Sequence, residues 1–326
     1  MAEWDGRGLP PAAAARMARF QAGGVRTSLL DVPGAVSVTG VGLPPMGEVM
    51  GCVVAHIGWA GFGGCGWYGP GAGWQPGIFG GGFRGGTSGG IPGSVGGGIA
   101  GGVGRGGGTV TSGSVTSGSD DRFAGFAPYV DALYRGYDTA LARMVTEAQA
   151  MGADGIVGVR LSVEHLGQDN REFVALGTAV RGAGPVHPPR PFVTDLAGAD
   201  VAKLLHAGWV PVSIAFGISV AVRHDDYATR SQASAWGYNT EVSGYTELVQ
   251  YVRHDARARF AEHAAGAGAE GAIVSHMGLH VWEREPSEGH RDHVAESTIF
   301  GTTLVRFSRE GTVPTRALTV LPLRRA

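Results

Sequence analysis

The residues MGADGIVGVRL at 151–161 return in looser form as AGAEGAIVSHM at 267–277. Each reads as a helix end capped by a glycine, followed at once by the apolar start of a strand. A corner that occurs twice commits the chain to a repeated architecture before anything else about it is known.

Upstream of the first corner, Val130, Leu133, Tyr134, Tyr137, Leu141, Met144, Ala148 and Met151 are spaced by three or four. That spacing predicts an amphipathic helix. Downstream, Val157, Val159, Leu161 and Val163 alternate with Gly158, Arg160, Ser162 and Glu164, which predicts a half-buried strand with one set on each face. A polar turn, GQDNRE, leads into a second strand, FVALGTAV. A shift of 116 residues maps Tyr129 on Tyr245, Leu133 on Val249, Met144 on Phe260, Ala148 on Ala264 and Gly152 on Gly268. The closing strand matches at a shift of 124, Glu172 with Glu296 and Thr178 with Thr302, so the second hairpin is eight residues longer. Upstream, GLPPMGEVMG at 42–51 matches GWVPVSIAFG at 208–217 at a shift of 166, which also pairs Leu30 with Leu196. The pattern predicts an α+β protein of two tandem β-α-β-β units.

The shifts of 166 and 116 differ because the first unit carries an insertion of about 50 residues. From 60 to 118, 27 of 59 residues are glycine, too little apolar surface to offset the entropy of ordering that backbone. This stretch is expected to be disordered. It holds Phe62, Trp67, Tyr68, Trp74, Phe79 and Phe83, so it could hold a protein partner. The expected organisation is a helical or flexible segment at 1–24 and a first unit at 25–182, interrupted at 60–118. A linker at 183–190, a second unit at 191–308 and a tail at 309–326 follow.

A net charge of −2 and a pI near 6.6 give no footprint for nucleic acid. Two cysteines cannot build a disulfide framework, and no secretory leader or run of 18 strongly apolar residues is visible. Together these predict a cytoplasmic protein without a transmembrane segment.

The run EAQAMGADGIVGVRLSVEHLGQDNREFVALGTAV at 147–180 resembles the YbjQ-like family of heavy-metal-binding-type domains. The resemblance rests on a helix ending in GAD, a VGVR strand, a GQ in the hairpin and a closing GTAV. GEVMGCVV at 47–54 looks like that family's first strand, and GAEGAIVSH with FGTTLV gives a looser second match. The resemblance implies small α+β units whose copies assemble into rings, typically pentamers, with strands pairing between neighbours. It implies no catalytic residues.

Cys52, His56 and Cys65 form C-x3-H-x8-C, with thiolate and imidazole groups suited to zinc, copper or a similar transition-metal ion. The second unit has Ile218 and Val222 where the first has Cys52 and His56, so buried packing accounts for Cys52 as well. His276 and His280 share a strand face, and His290, Asp292 and His293 lie in the longer hairpin; neither group recurs in the first unit. Glu172 with Glu296 and Arg143 with Arg259 do recur, as expected of structural ion pairs or interface contacts. No serine elbow, phosphate-cradling loop or HExxH is present, and GRGGG at 104–108 lacks the strand-turn-helix setting of a dinucleotide site.

These features predict a non-enzymatic homo-oligomeric binding protein, with itself as first partner. The alternative is a ring scaffold that displays its glycine- and aromatic-rich loop to a protein partner or a membrane surface. Loop-closure entropy grows by about 0.6 kcal/mol per doubling of length, so replacing residues 61–117 by about ten residues should shift stability by only ~1–2 kcal/mol. Chemical denaturation checks this; an insoluble product would show that the insert packs on the core.

Overall fold

The computed structural model describes residues 8–57, 124–125, 127–167, 169–234, 239–287 and 290–307. The insert at 60–118, with Cys65, and the tail at 309–326 lie outside the described residues. The first sheet is built from β1 (Pro45–His56), β3 (Gly155–His165) and β4 (Asn170–Val180), ordered β1-β4-β3 and antiparallel throughout. The second uses β6 (Trp209–His224), β7 (Gly271–Ser287) and β8 (His290–Arg306) in the matching order β6-β8-β7. Two short strands cross between the expected units. β5 (Phe192–Val193), beyond the 183–190 linker, pairs in parallel with β3. β2 (Ala124–Gly125), just before the first long helix, pairs with β6.

The long helices predicted from periodicity are α3 (Ala127–Ala150) and α6 (Ser243–Gly266). Gly152 and Gly268 follow them at φ 72° and 71°, the left-handed backbone that favours glycine at a helix end. α3 lies between the two sheets, and α6 covers the far face of the second. Tyr137 marks the centre of the shared core, with ring centroids 5.1 Å from Phe173 of the first sheet and 5.0 Å from Phe300 of the second. Phe216 of β6 completes the cluster at 5.9 Å from Tyr137 and 5.2 Å from Tyr134. Burying each such ring contributes about 1.5–3 kcal/mol, so the cluster ties the two sheets into one core.

Each long helix approaches its own first strand through a glycine. A Cβ on Gly51 would fall on the carbonyl oxygen of Ala140 and the amide of Met144. A Cβ on Gly217 would fall on the matching groups of Ala256 and Phe260. The strand and helix backbones pass too close for any side chain, at equivalent positions in both units.

One expectation needs correction. Val157 does not share a face with Val159, Leu161 and Val163. β3 slips register against β4 between Val157 and Arg160, and Gly158 at φ 66° supplies the extra residue. A bulge reverses the alternation. Val159 therefore joins the main core, whereas Val157 packs with Val38, Val180, Leu196 and Val201 on the other side. β7 carries the corresponding slip between Val274 and His276. The sequence reading also missed α2 (Val32–Gly40) and α4 (Gly198–His206), which occupy the same positions at a shift of 166 and pack on each other. α2 begins at Asp31, whose carboxylate accepts from Gly34 N at 2.8 Å. α1 (Pro11–Gln21) and α5 (Tyr227–Gln232) complete the helices among the described residues.

Gly51→Ala and Gly217→Ala should each destabilise the fold by about 2–3 kcal/mol, because the clash is with helix backbone that cannot rotate away. Gly40→Ala, at the open end of α2 with nothing within 4 Å, should be close to neutral. Thermal unfolding checks the contrast; equal melting temperatures for all three would mean the helices can shift freely.

Candidate functional site

Among the described residues β1 is an edge strand, and its alternation sends Met50, Cys52, Val54 and His56 to the face away from α3. Cys52 is half-buried beside Val174, and His56 is exposed, with its Nδ1 3.4 Å from Asn170 Oδ1. At about 3.3 Å per residue, positions four apart on a strand stand ~13 Å apart, whereas two donors on one zinc ion sit within ~4 Å of each other. Cys52 and His56 of one chain are therefore not joint ligands of a single ion. Cys65 lies outside the described residues, among which no group of three or more His, Cys, Asp or Glu is placed to hold a metal. On the second sheet the matching positions carry Ile218 and Val222, both buried under α3. Among the described residues the same strand face is thus covered in one sheet and open in the other, where Val54 is 56% exposed.

The free edge of β1 is met by charged side chains instead. Glu147 on α3, 1% exposed, accepts from Met50 N at 3.1 Å and binds Arg16 of α1 through both carboxylate oxygens, at 2.8 and 2.7 Å. Arg143 donates to the carbonyl of Cys52. The hydrogen bond to Glu147, ahead of the opposing cost of burial, raises the Arg16 pKa above its ordinary value. Beside this pair a surface groove of about 590 Å³ runs between α1 and β1, bordered by Met17, Phe20, Arg26, Glu48 and Met151. On the second sheet, at a shift of 116, His263 stands where Glu147 does on the first, with Nδ1 3.3 Å from Phe216 N.

The hairpin residues Asp292 and His293 do not act together. Asp292 faces His224 across the strand pair at 2.7 Å, whereas His293 turns to the opposite face and is 5% exposed. There its Nδ1 lies 3.0 Å from Asp225 and its Nε2 3.1 Å from Glu283. The Tyr245 ring lies tilted against the imidazole at 4.2 Å between centroids, and its hydroxyl donates to Asp225 at 3.3 Å. Desolvation, reinforced by Asp225, pushes the Tyr245 hydroxyl up to about 12. A second groove of about 510 Å³ opens beside this cluster, bordered by Arg230, Glu283 and Arg291. The sequence reading singled out His293 but not its partners, since Asp225 is 68 residues away.

His276 and His280 lie against aromatic rings, His276 near Phe300 at 6.0 Å and His280 stacked on Trp282 at 5.0 Å. Of the recurring charges, Glu296 accepts from Tyr129 Oη at 2.9 Å and Arg259 pairs with Asp255 at 2.8 Å. Burial, ahead of the charge on Glu296, raises the Tyr129 pKa well above the usual phenol range.

The profile of the YbjQ family, described as "Putative heavy-metal-binding", matches residues 111–183, which take in α3, β3 and β4. A Mycobacterium tuberculosis protein named "Encapsulin nanocompartment protein Rv1762c" is 36% identical over 159 residues, 46% of this chain and 59% of that protein. A UPF0145 protein of Vibrio parahaemolyticus is 37% identical over 84 residues, 23% of this chain and 80% of that protein. A UPF0145 protein of Halorubrum lacusprofundi is 40% identical over 53 residues, 16% of this chain and 51% of that protein. The chain thus spans 59% and 51% of the lengths of two of these relatives. No solved structure matches it. No helix among the described residues is long and apolar enough to cross a membrane.

Arg16→Met should cost about 3 kcal/mol, because it leaves the Glu147 carboxylate buried without its cation. Adding Glu147→His, the residue of the second unit, should recover more than half of that loss. A double-mutant cycle in denaturant checks this; additive losses would show that Arg16 and Glu147 act independently.

Proposed function

The chain belongs to the YbjQ-like UPF0145 family, and from that premise we propose that it is a non-enzymatic, homo-oligomeric binding protein of two tandem YbjQ-like units. The tandem reading is supported by the matching strand orders, the paired contacts at Gly51 and Gly217, and the bulges in β3 and β7. The observation that carries the oligomeric reading is the unequal cover of the two sheets. α3 buries Phe216, Ile218, Val220 and Val222 of the second sheet. The equivalent Met50, Cys52, Val54 and His56 of the first sheet have no such helix over them among the described residues. Apolar sheet surface of this kind is stabilised by a neighbour, and a closed ring of chains supplies one to every copy. In such a ring Cys52, His56 and Cys65 of different chains could meet around a transition-metal ion, the form of metal binding consistent with the spacing along β1.

A second reading draws on the mycobacterial relative, whose name places that protein with an encapsulin nanocompartment. Here the assembly is a scaffold that presents the aromatic-rich residues of 60–118 to a protein partner such as a compartment shell.

Light scattering on protein without an affinity tag should give a mass that is a multiple of 33.5 kDa, with single chains scarce at ~1 μM. A folded monomer would overturn the oligomeric reading. Stoichiometric metal lost on Cys52→Ser and Cys65→Ser supports metal binding. A metal-free assembly that captures its partner only with residues 60–118 present favours the scaffold.

A further inference from the structure

The groove between α1 and β1 has an apolar floor of three methionines and a phenylalanine under a rim that carries arginine. Met17 and Met151 are buried, and Met46 and Phe20 are partly buried against the same core. Met151 lies on the backbone of β1: a Cβ added to Gly47 would stand 3.2 Å from its Cε. At about 590 Å³ the groove has the size of a small-molecule site, for which about 300–1,000 Å³ is usual. At a shift of 166, Met17 and Phe20 correspond to Ala183 and Val186, which belong to no helix, so this floor is particular to the first sheet.

The charges around it are unevenly committed. Arg16 binds both carboxylate oxygens of Glu147, and Glu48 borders the groove within reach of the Arg16 charge. Arg19 and Arg26 border it too, both exposed, and neither pairs with a carboxylate among the described residues. Arg26 lies over the Phe20 ring instead, its guanidinium carbon 5.3 Å from the centroid. Beside it, the backbone amides of Val25, Arg26 and Thr27 make no hydrogen bond among the described residues. Two uncommitted cations and three amide donors thus stand at one end of an apolar floor. That pattern fits a ligand with an anionic head and an apolar body.

We propose that this groove binds a free long-chain carboxylate, a fatty acid, with its head on Arg19, Arg26 and the amides of 25–27. Its alkyl chain lies along Met17, Met46 and Met151. The make-up of the floor selects the shape of the apolar body. Methionine side chains are unbranched and adaptable, and so conform to a flexible chain, whereas a flat ring system is held by aromatic faces. Phe20 is the one aromatic side chain bordering the groove, and Arg26 already covers it. The carboxylate head follows from the donors, since a guanidinium donates two parallel hydrogen bonds to its two oxygens. A free amphiphile is favoured over a membrane surface, because docking on anionic lipid takes clusters of about four to eight basic residues. The rim offers two.

Every residue of the groove comes from one chain, so the proposal stands or falls apart from the oligomeric reading. The test uses the full chain, labelled with carbon-13 at its methionine methyls and titrated with decanoate below its micelle concentration. The Met17, Met46 and Met151 signals should shift together and saturate at one decanoate per chain. Exposed Met277, on β7, should stay unmoved. Each methylene removed from the ligand should weaken binding about fourfold. Decanol, with the same chain and no charge, should bind about tenfold more weakly, the loss expected with one charge-assisted hydrogen bond. Arg19→Gln with Arg26→Gln should bring decanoate to the level of decanol and leave decanol unchanged; both side chains are exposed, so the fold is not disturbed. Decanol binding as tightly as decanoate, or a Met277 shift in step with the other three, would overturn the proposal. So would affinity for anionic phospholipid vesicles with none for free decanoate.

Discussion

The fold depends on one helix being buried from two sides. α3 gives Ala140 and Met144 to the glycine of β1 on one side, and Tyr134 and Tyr137 to Phe216 and Phe300 on the other. Neither sheet could be withdrawn without exposing that aromatic cluster, so the two sheets share one core. α6 has the same relation to its own strand but not to a second sheet. At the positions equivalent to Tyr134, Tyr137 and Leu141 it carries Gln250, Arg253 and Arg257, all exposed. The two long helices differ in sequence where their surroundings differ.

Much of this was legible because helix and strand periods leave different marks. The spacing of Val130 through Met151 gave α3, and the glycines at 152 and 268 gave the corners. The three shifts then placed β6, β7 and β8 by analogy with β1, β3 and β4. What failed to show was whatever depends on a single residue or on distance in the chain. The Gly158 bulge reverses the facing of Val157 against Val159, and a period-two reading has no means of seeing one inserted residue. α2 and α4 are nine residues long, too short for periodicity to separate from a loop, although Asp31 with Pro33 is a recognisable helix start. β5 and β2 are two residues each and form only because another unit's edge stands beside them. The exchange of these strands is a tertiary property with no local signature.

The candidate site divides along the same line. That Cys52 and His56 share a strand face follows from alternation alone, and so does their separation, which keeps them from one ion within a chain. That this face is open, while the matching face of β6 is covered, follows from the stacking order of sheets and helices and needed the structure. His293 was visible as a histidine in a hairpin. Its burial between Asp225 and Glu283 was not, because those partners come from the end of β6 and from the facing strand.

The contact at the edge of the first strand has a differently built match on the second sheet. Met50 N and Phe216 N are equivalent amides at the strand's free side, and each is met by the equivalent residue of its long helix. In the first unit that residue is Glu147. That carboxylate is 1% exposed, and Arg16 meets it with two hydrogen bonds. On the second sheet the residue is His263, whose Nδ1 accepts from the Phe216 amide at 3.3 Å. α1 has no counterpart before α4 in the sequence. The helix carries the arginine that meets the buried Glu147 carboxylate, and it borders the groove above β1.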